Sequence, residues 1–401
     1  MKIELSAFLK SLSRALDYVE REIIHANPHH ETRVAILSNK MAAAAGFDEK
    51  SLFALTQAAI LHDAALSEFV SDELSSGNDV PEELYMASHC IEGEKLIELL
   101  PMYDLIKGAV LYHHDRADGL GATKATAEET PFLAQLIHTA DVLDVNFDLY
   151  HYDARTYNKI KTWLPEQIGT VITQECADLA FKVLSPELLE LLSGENCVEI
   201  LDKLIPDVME EISLDSLKKM SMVFASITDY KSHFTWRHSL GVAEKAMEMG
   251  KYYGYDDEMC DMLYIAGALH DIGKLLIHND ILEKNGKLTD DEYRIIKNHA
   301  MGTWVLLKNV GGLEEISKWA AHHHERLDGK GYPFGLKGDV LGKNERLMAC
   351  CDIYQALVEE RSYKAGFSHQ SAMAIMNKMV IDGALDGDIV KAIDNCFGER
   401  K

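Results

Sequence analysis

The segments AGALHDIGKL (residues 266–275) and HHHERLDGKGYP (residues 322–333) decide how this chain is read, because each has an earlier echo. The echoes are AAILHDAAL (residues 58–66) and YHHDRADGLGA (residues 112–122), and the two His-Asp pairs lie 208 residues apart. Working outward, His30, His62-Asp63, His89, His113-His114 and Asp141 follow one another at steps of 32, 27, 24 and 27 residues. His238, His270-Asp271, His299, His323-His324 and Asp352 do so at 32, 29, 24 and 28. Matching residue types at matching intervals are the mark of a tandem duplication. Two copies are too few for a solenoid, so the pattern predicts two globular domains, 1–206 and 207–401, divided near Pro206.

Each copy reads as helical. Val34, Leu37, Met41 and Ala45 recur at helical period, as do Leu347, Cys350, Ile353 and Leu357, and alternating strand-like runs are scarce. The expected fold class is all-α, with helix-like stretches at 5–19 and 214–230 opening the two bundles. The 401 residues carry 65 acidic and 40 basic side chains, a formal charge of −25. Duplex nucleic acid and anionic membranes need a basic face, so neither is an expected partner. No apolar run approaches the roughly 18 residues that would span a bilayer. Seven cysteines without a CxxC pair, and an amphipathic opening unlike a signal peptide, predict free thiols in the cytoplasm.

Histidines and aspartates spread over more than 100 residues can meet when helices pack side by side, as in metal sites built inside bundles. Imidazole nitrogen with carboxylate oxygen suits iron or manganese, and less often zinc. Five histidines and two aspartates exceed the needs of one tetrahedral ion, and an aspartate beside a histidine can bridge two. The set therefore favours a two-metal site.

HDIGK (residues 270–274), HHERLDGKGYP (323–333), ILEKNGKLTDDEYRIIKNH (281–299) and RSYK (361–364) together resemble the HD-GYP family of HD-domain phosphohydrolases. The likeness covers about residues 236–373. It implies an all-helical fold, a divalent metal centre and hydrolysis of a 3′,5′-cyclic dinucleotide, cyclic di-GMP or 3′,3′-cyclic GMP-AMP, to the linear form. By the resemblance, His238, His270, Asp271, His299, His323, His324 and Asp352 are the metal ligands. Lys274 is the phosphate contact, and Arg361 and Lys364 face the guanine. Gly331, Tyr332 and Pro333 form the signature loop, a surface for a protein partner. The third-metal glutamate of some members is Phe234 here and Ala26 in the first copy, so two metals, iron or manganese, are expected. A family aspartate three residues after the last ligand is Gln355.

Catalysis is expected from Asp271 and Lys274. Two cations sharing Asp271 can lower the pKa of a water toward neutrality. Lys274, Lys284, Lys287, Arg326, Lys330, Arg361 and Lys364, with Tyr332, are expected to make the local positive pocket for the substrate's phosphates. The first copy keeps His30, His62, Asp63, His89, His113, His114 and Asp141, a possible second metal set. It has Ala65 and Leu66 in place of Gly273 and Lys274, and Ala122-Thr123 in place of Tyr332-Pro333. It is expected to be a degenerate partner domain whose signature loop is lost. Two rival readings are an HD hydrolase acting on another nucleotide and a non-catalytic dinucleotide sensor or scaffold.

Overall fold

Side-chain caps set where many of the helices begin. Asp48, Thr173 and Ser185 each accept a backbone N–H from the first turn of the helix they precede, and Asp256, Thr289, Ser368 and Asp386 do the same later in the chain. Thr289 is the strongest stop-start signal: its side chain and that of Glu292 close a reciprocal capping box, and Asp290 and Asp291 add charge that favours a helix N-terminus. The computed structural model describes residues 2–23, 27–66, 82–205, 209–231, 238–282, 284, 286–360 and 366–398. Ala26, Pro206, Phe234, Arg361 and Lys364 lie outside them.

The chain folds as two units, one comprising Leu9–Val208 and the other Met1–Phe8 with Met209–Lys401. Among the described residues both are all-α apart from a two-stranded ribbon. Lys2–Glu4 pairs antiparallel with Met209–Glu211, with Ile3 opposite Glu210, and Glu4 N–H donates to the Gly311 carbonyl at 2.9 Å. Ile3 and Leu5 are fully buried, and the Phe8 ring meets Phe224 edge-on at 4.9 Å. Residues 2–8 thus complete the core of the C-terminal unit.

In the C-terminal unit the helices His238–Tyr252, Asp257–Leu269, Asp290–Leu307, Glu314–Ala321 and Lys343–Val358 surround the candidate ligands. Val242, Ala243, Ala246 and Met249 bury one stripe of the first, and Leu263, Ile265, Ala266 and Leu269 face inward from the second. After Leu269 the chain tightens into a single 3-10 turn, Ile272–Leu276, which lies against Asp290–Leu307. Gly273 permits that approach: a Cβ there would stand 2.0 Å from the His299 carbonyl oxygen and 2.4 Å from the Thr303 nitrogen. Thr303 ties the two together, donating from Oγ1 to the His270 carbonyl at 2.8 Å and accepting from Gly273 N–H at 3.1 Å.

The N-terminal unit repeats the scheme with His30–Ala45, Glu49–Ile60, Glu82–Ile97 and Phe132–Phe147. Its small residue sits on the other side of the contact: Ala65 follows the His-Asp pair, and Gly93 faces it, with an ideal Cβ 3.9 Å from that of Ala65.

Gly273→Ala tests the packing of the His-Asp turn. Both obstructing atoms belong to the backbone, so the substitution is expected to cost about 1–3 kcal/mol and to lower Tm by several degrees in calorimetry. An unchanged Tm would show that the turn does not depend on that approach.

Candidate metal centre

Three histidines of the C-terminal unit are fixed in the same way. The Nδ1 atoms of His270, His299 and His323 lie 2.7, 2.6 and 2.7 Å from the carbonyl oxygens of Gly267, Ile296 and Ala320, each three residues earlier on its own helix. A carbonyl can only accept, so each Nδ1 carries a proton and each Nε2 is the nitrogen left to meet a ligand. These Nε2 atoms point inward, toward Asp271. His299 Nε2 and His323 Nε2 are 3.2 Å apart, and the buried His270 Nε2 has no hydrogen-bond partner.

Asp271 stands between the imidazoles. Its Oδ2 is 3.2 Å from His270 Nε2, and its Oδ1 is 3.4 and 3.8 Å from the Nε2 atoms of His299 and His323. Asp352, reaching in from Lys343–Val358, places Oδ1 3.1 Å from His238 Nε2 and Oδ2 3.7 Å from His324 Nδ1. Two ligand groups result, His238 with His270 and Asp352, and His299 with His323 and His324. All seven predicted ligands come together.

The charge states suit a cation. Burial, reinforced by neighbouring histidines, holds His323 well below the usual imidazole range, and burial takes His324 down to about 3. Burial opposes ionisation of Asp271 and Asp352, yet the facing histidines, with Lys274 at Asp271, keep both carboxyls below the usual carboxylate range. Burial also opposes protonation of His238, but hydrogen bonds to Asp352 and Glu359 outweigh it and raise the group to about 9. His299, His323 and His324, held neutral beside ionised carboxylates, are donors suited to a divalent metal, whereas His238 carries a proton that a cation would displace; the fixed Nδ1–H bonds are the outer contacts that orient such ligands.

The remaining predicted residues divide. Lys274 Nζ lies 2.6 Å from Asp271 Oδ2. The Tyr332 ring packs over His324 at 4.7 Å, and burial pushes its hydroxyl above the usual phenol range. Lys330 is on the exposed rim of the loop, where its side chain, 79% exposed, lies 3.9 Å from Asp328. Lys284 and Arg326 are engaged by Glu292 and Asp328. Lys297, absent from the sequence reading, places Nζ 5.3 Å from the Tyr332 ring centroid. Glu359, also missed, accepts from His238 Nδ1 at 2.9 Å. It lies seven residues after Asp352, two helical turns along the same face, so the periodicity held that signal.

The signature loop is clamped by Glu325, whose carboxylate accepts the N–H groups of Phe334, Gly335 and Leu336 at 2.7, 3.1 and 2.8 Å. A Cβ on Gly331 would fall 2.5 Å from Arg326 N. In the N-terminal unit Asp115 accepts from Thr123 and Lys124 N–H at 2.8 and 3.1 Å, and a Cβ on Gly121 would lie 2.6 Å from Arg116 N. The Arg116–Asp118 pair matches Arg326–Asp328. The first copy lacks the tyrosine and proline of the signature, but the scaffold of the loop remains, because a carboxylate and a glycine build it.

The N-terminal set also converges. Asp63 receives His62, His89 and His113 Nε2 at 3.4, 3.5 and 3.3 Å, and Asp141 receives His30 Nε2 at 3.3 Å and His114 Nδ1 at 3.6 Å. His138, which has no role in the sequence reading, joins His114 and Asp141. Where Lys274 stands in the other unit, this one buries Leu66.

A family profile described as HD domain matches residues 17–161 and 221–389. The chain belongs to the HD-domain family. Among relatives, a 3′3′-cGAMP-specific phosphodiesterase of Vibrio cholerae is 29% identical over 391 residues, covering 95% of this HD protein and 89% of the relative. A cyclic di-GMP phosphodiesterase of Pseudomonas aeruginosa is 33% identical over 199 residues, 48% of this chain and 46% of that one. A solved V. cholerae structure, described as a cyclic GMP-AMP specific phosphodiesterase, superposes with a TM-score of 0.65 at 22% identity. It covers 100% of this chain and 99% of its own, and shows the shared fold. No helix among the described residues is long and apolar enough to cross a membrane.

Metal binding by the HD clusters has a thermodynamic signature. Manganese at about 100 times its Kd is expected to add about 2.7 kcal/mol to stability, read as a Tm increase of several degrees that EDTA reverses. Asp271→Ala should lose most of the increase belonging to the C-terminal unit. A Tm indifferent to metal and chelator would contradict this.

Proposed function

We propose that the C-terminal unit is a metal-dependent phosphodiesterase that opens a 3′,5′-cyclic dinucleotide, cyclic di-GMP or 3′,3′-cyclic GMP-AMP, to its linear form. The observation that carries the reading is Asp271, whose carboxylate lies 3.2, 3.4 and 3.8 Å from the Nε2 atoms of His270, His299 and His323, with the Lys274 ammonium 2.6 Å away. The names of the relatives supply the substrate class. We assign two divalent ions, iron or manganese, to His238, His270, Asp271, His299, His323, His324 and Asp352. When bound, they supply Lewis-acid charge and lower the pKa of water.

The protein's own groups do the rest. Lys274 is held beside the reaction centre by Asp271 and is there to neutralise a phosphoryl oxygen as charge builds on it, a role worth about 2.7–4 kcal/mol for a fixed donor. Tyr332 and the Glu325-clamped loop wall the site beside His324, and Lys297 adds a cation at that wall. These local charges offset the acidic surface, whose remote carboxylates are screened beyond about 8–10 Å. The exposed rim of the loop, with Lys330 and Phe334, is the face we assign to a protein partner. The N-terminal unit, Leu9–Val208, is assigned a metal set without turnover. Its cluster keeps the ligands and has leucine in place of the lysine.

Purified protein with Mn²⁺ or Fe²⁺ should convert cyclic di-GMP or 3′,3′-cyclic GMP-AMP to the linear dinucleotide, as followed by chromatography. Recovery of both substrates intact from the metal-loaded protein would overturn the assignment. Lys274→Ala should lower kcat about 10²–10³-fold while metal content stays at the wild-type level. Equal turnover would remove the lysine from the reaction.

A further inference from the structure

The first histidine of each cluster needs an acceptor on Nδ1 to keep Nε2 turned toward the ligands, and the two units meet that need differently. In the N-terminal unit His30 Nδ1 lies 2.8 Å from Asp144 Oδ2, while its Nε2 faces Asp141. Asp144 follows Asp141 by three residues and is itself gripped by Arg33, which donates from Nε at 2.5 Å and Nη2 at 2.8 Å. Arg33 follows His30 by three residues and is fully buried.

At the same spacings the C-terminal unit has Gln355 after Asp352 and Gly241 after His238. Both halves of the ion pair are gone. The Gln355 side chain fills the space above Gly241, where a Cβ would stand 2.3 Å from its Nε2 and 2.5 Å from its Cδ, and its buried Oε1 has no hydrogen-bond partner. His238 Nδ1 instead meets Glu359 Oε2 at 2.9 Å, from a side chain only 9% exposed at the C-cap of Lys343–Val358. An amide cannot stand in for a carboxylate here, because a neutral oxygen polarises the Nδ1–H bond less and makes Nε2 a weaker donor.

We propose that Glu359 is the positioning residue of the C-terminal metal site. It holds His238 in its ligand orientation, as Asp144 holds His30, and the paired change to Gly241 and Gln355 moved this task one helical turn along. The inference rests on His238 being a metal ligand.

The test is competitive metal titration of the full chain with a chromophoric chelator, following the sites that Asp271→Ala removes. Glu359→Gln keeps the shape and removes the charge, and is expected to weaken metal binding at those sites about ten- to a hundredfold, with helical content unchanged. Glu359→Asp, which keeps the charge on a shorter arm, should lose less and serves should the amide variant fold poorly. The decisive arm is relocation: adding Gln355→Asp to Glu359→Gln returns a carboxylate to the position used by Asp144, and should recover most of the affinity. Wild-type affinity in Glu359→Gln, or a loss that the relocated carboxylate leaves untouched, overturns the proposal. Wild-type protein that binds no metal at the Asp271 sites would instead overturn the reading of His238 as a ligand.

Discussion

Lone pairs on buried imidazole nitrogens repel, and this protein holds two of them, on His299 and His323, 3.2 Å apart. Neither can escape by turning, because the opposite nitrogen of each ring is bound to a helix carbonyl. The conflict is relieved by positive charge placed between the rings. Buried charge is tolerated when paired, and the carboxylates of Asp271 and Asp352 supply the balance. The helices, the tight turn and the loop all serve to keep these groups facing one another.

That constraint explains details which otherwise look arbitrary. The 3-10 turn after His270 brings Asp271 and Lys274 to the same side, and it fits only because Gly273 has no side chain to strike the His299 carbonyl. His323 and His324 leave the end of Glu314–Ala321 in succession, so one joins His270 and His299 while the other turns toward Asp352 and Tyr332. The N-terminal unit obeys the same rule at the loop with another residue, Asp115 in place of Glu325. What differs between the units is the chemistry beside the cluster, where the N-terminal unit has Leu66 and Ala122 at the positions of Lys274 and Tyr332.

Much of this was legible in the residue order. Helical period and the scarcity of alternating runs announced an all-α chain, and the repeated intervals identified seven residues that do converge in each unit. Other features depend on contacts that spacing does not display. Lys2–Glu4 and Met209–Glu211 are too short to show a strand period and find each other across the whole first copy. Glu359 meets His238 over a separation of 121 residues, and its place two helical turns after Asp352, with Asp144's counterpart absent, is the trace this contact leaves in the residue order. The loop scaffold of the first copy is a matter of backbone N–H groups around Asp115, invisible when Tyr-Pro is taken as its signature.

The central claim is that the C-terminal imidazoles and carboxylates enclose cations. Anomalous scattering recorded at the metal absorption edge, from crystals grown with manganese or iron, tests it directly. The account predicts two strong peaks in that unit, one against His299, His323 and His324 and one against His238, His270 and Asp352, with Asp271 reaching both. A map without peaks there, from protein that scatters normally elsewhere, would contradict it.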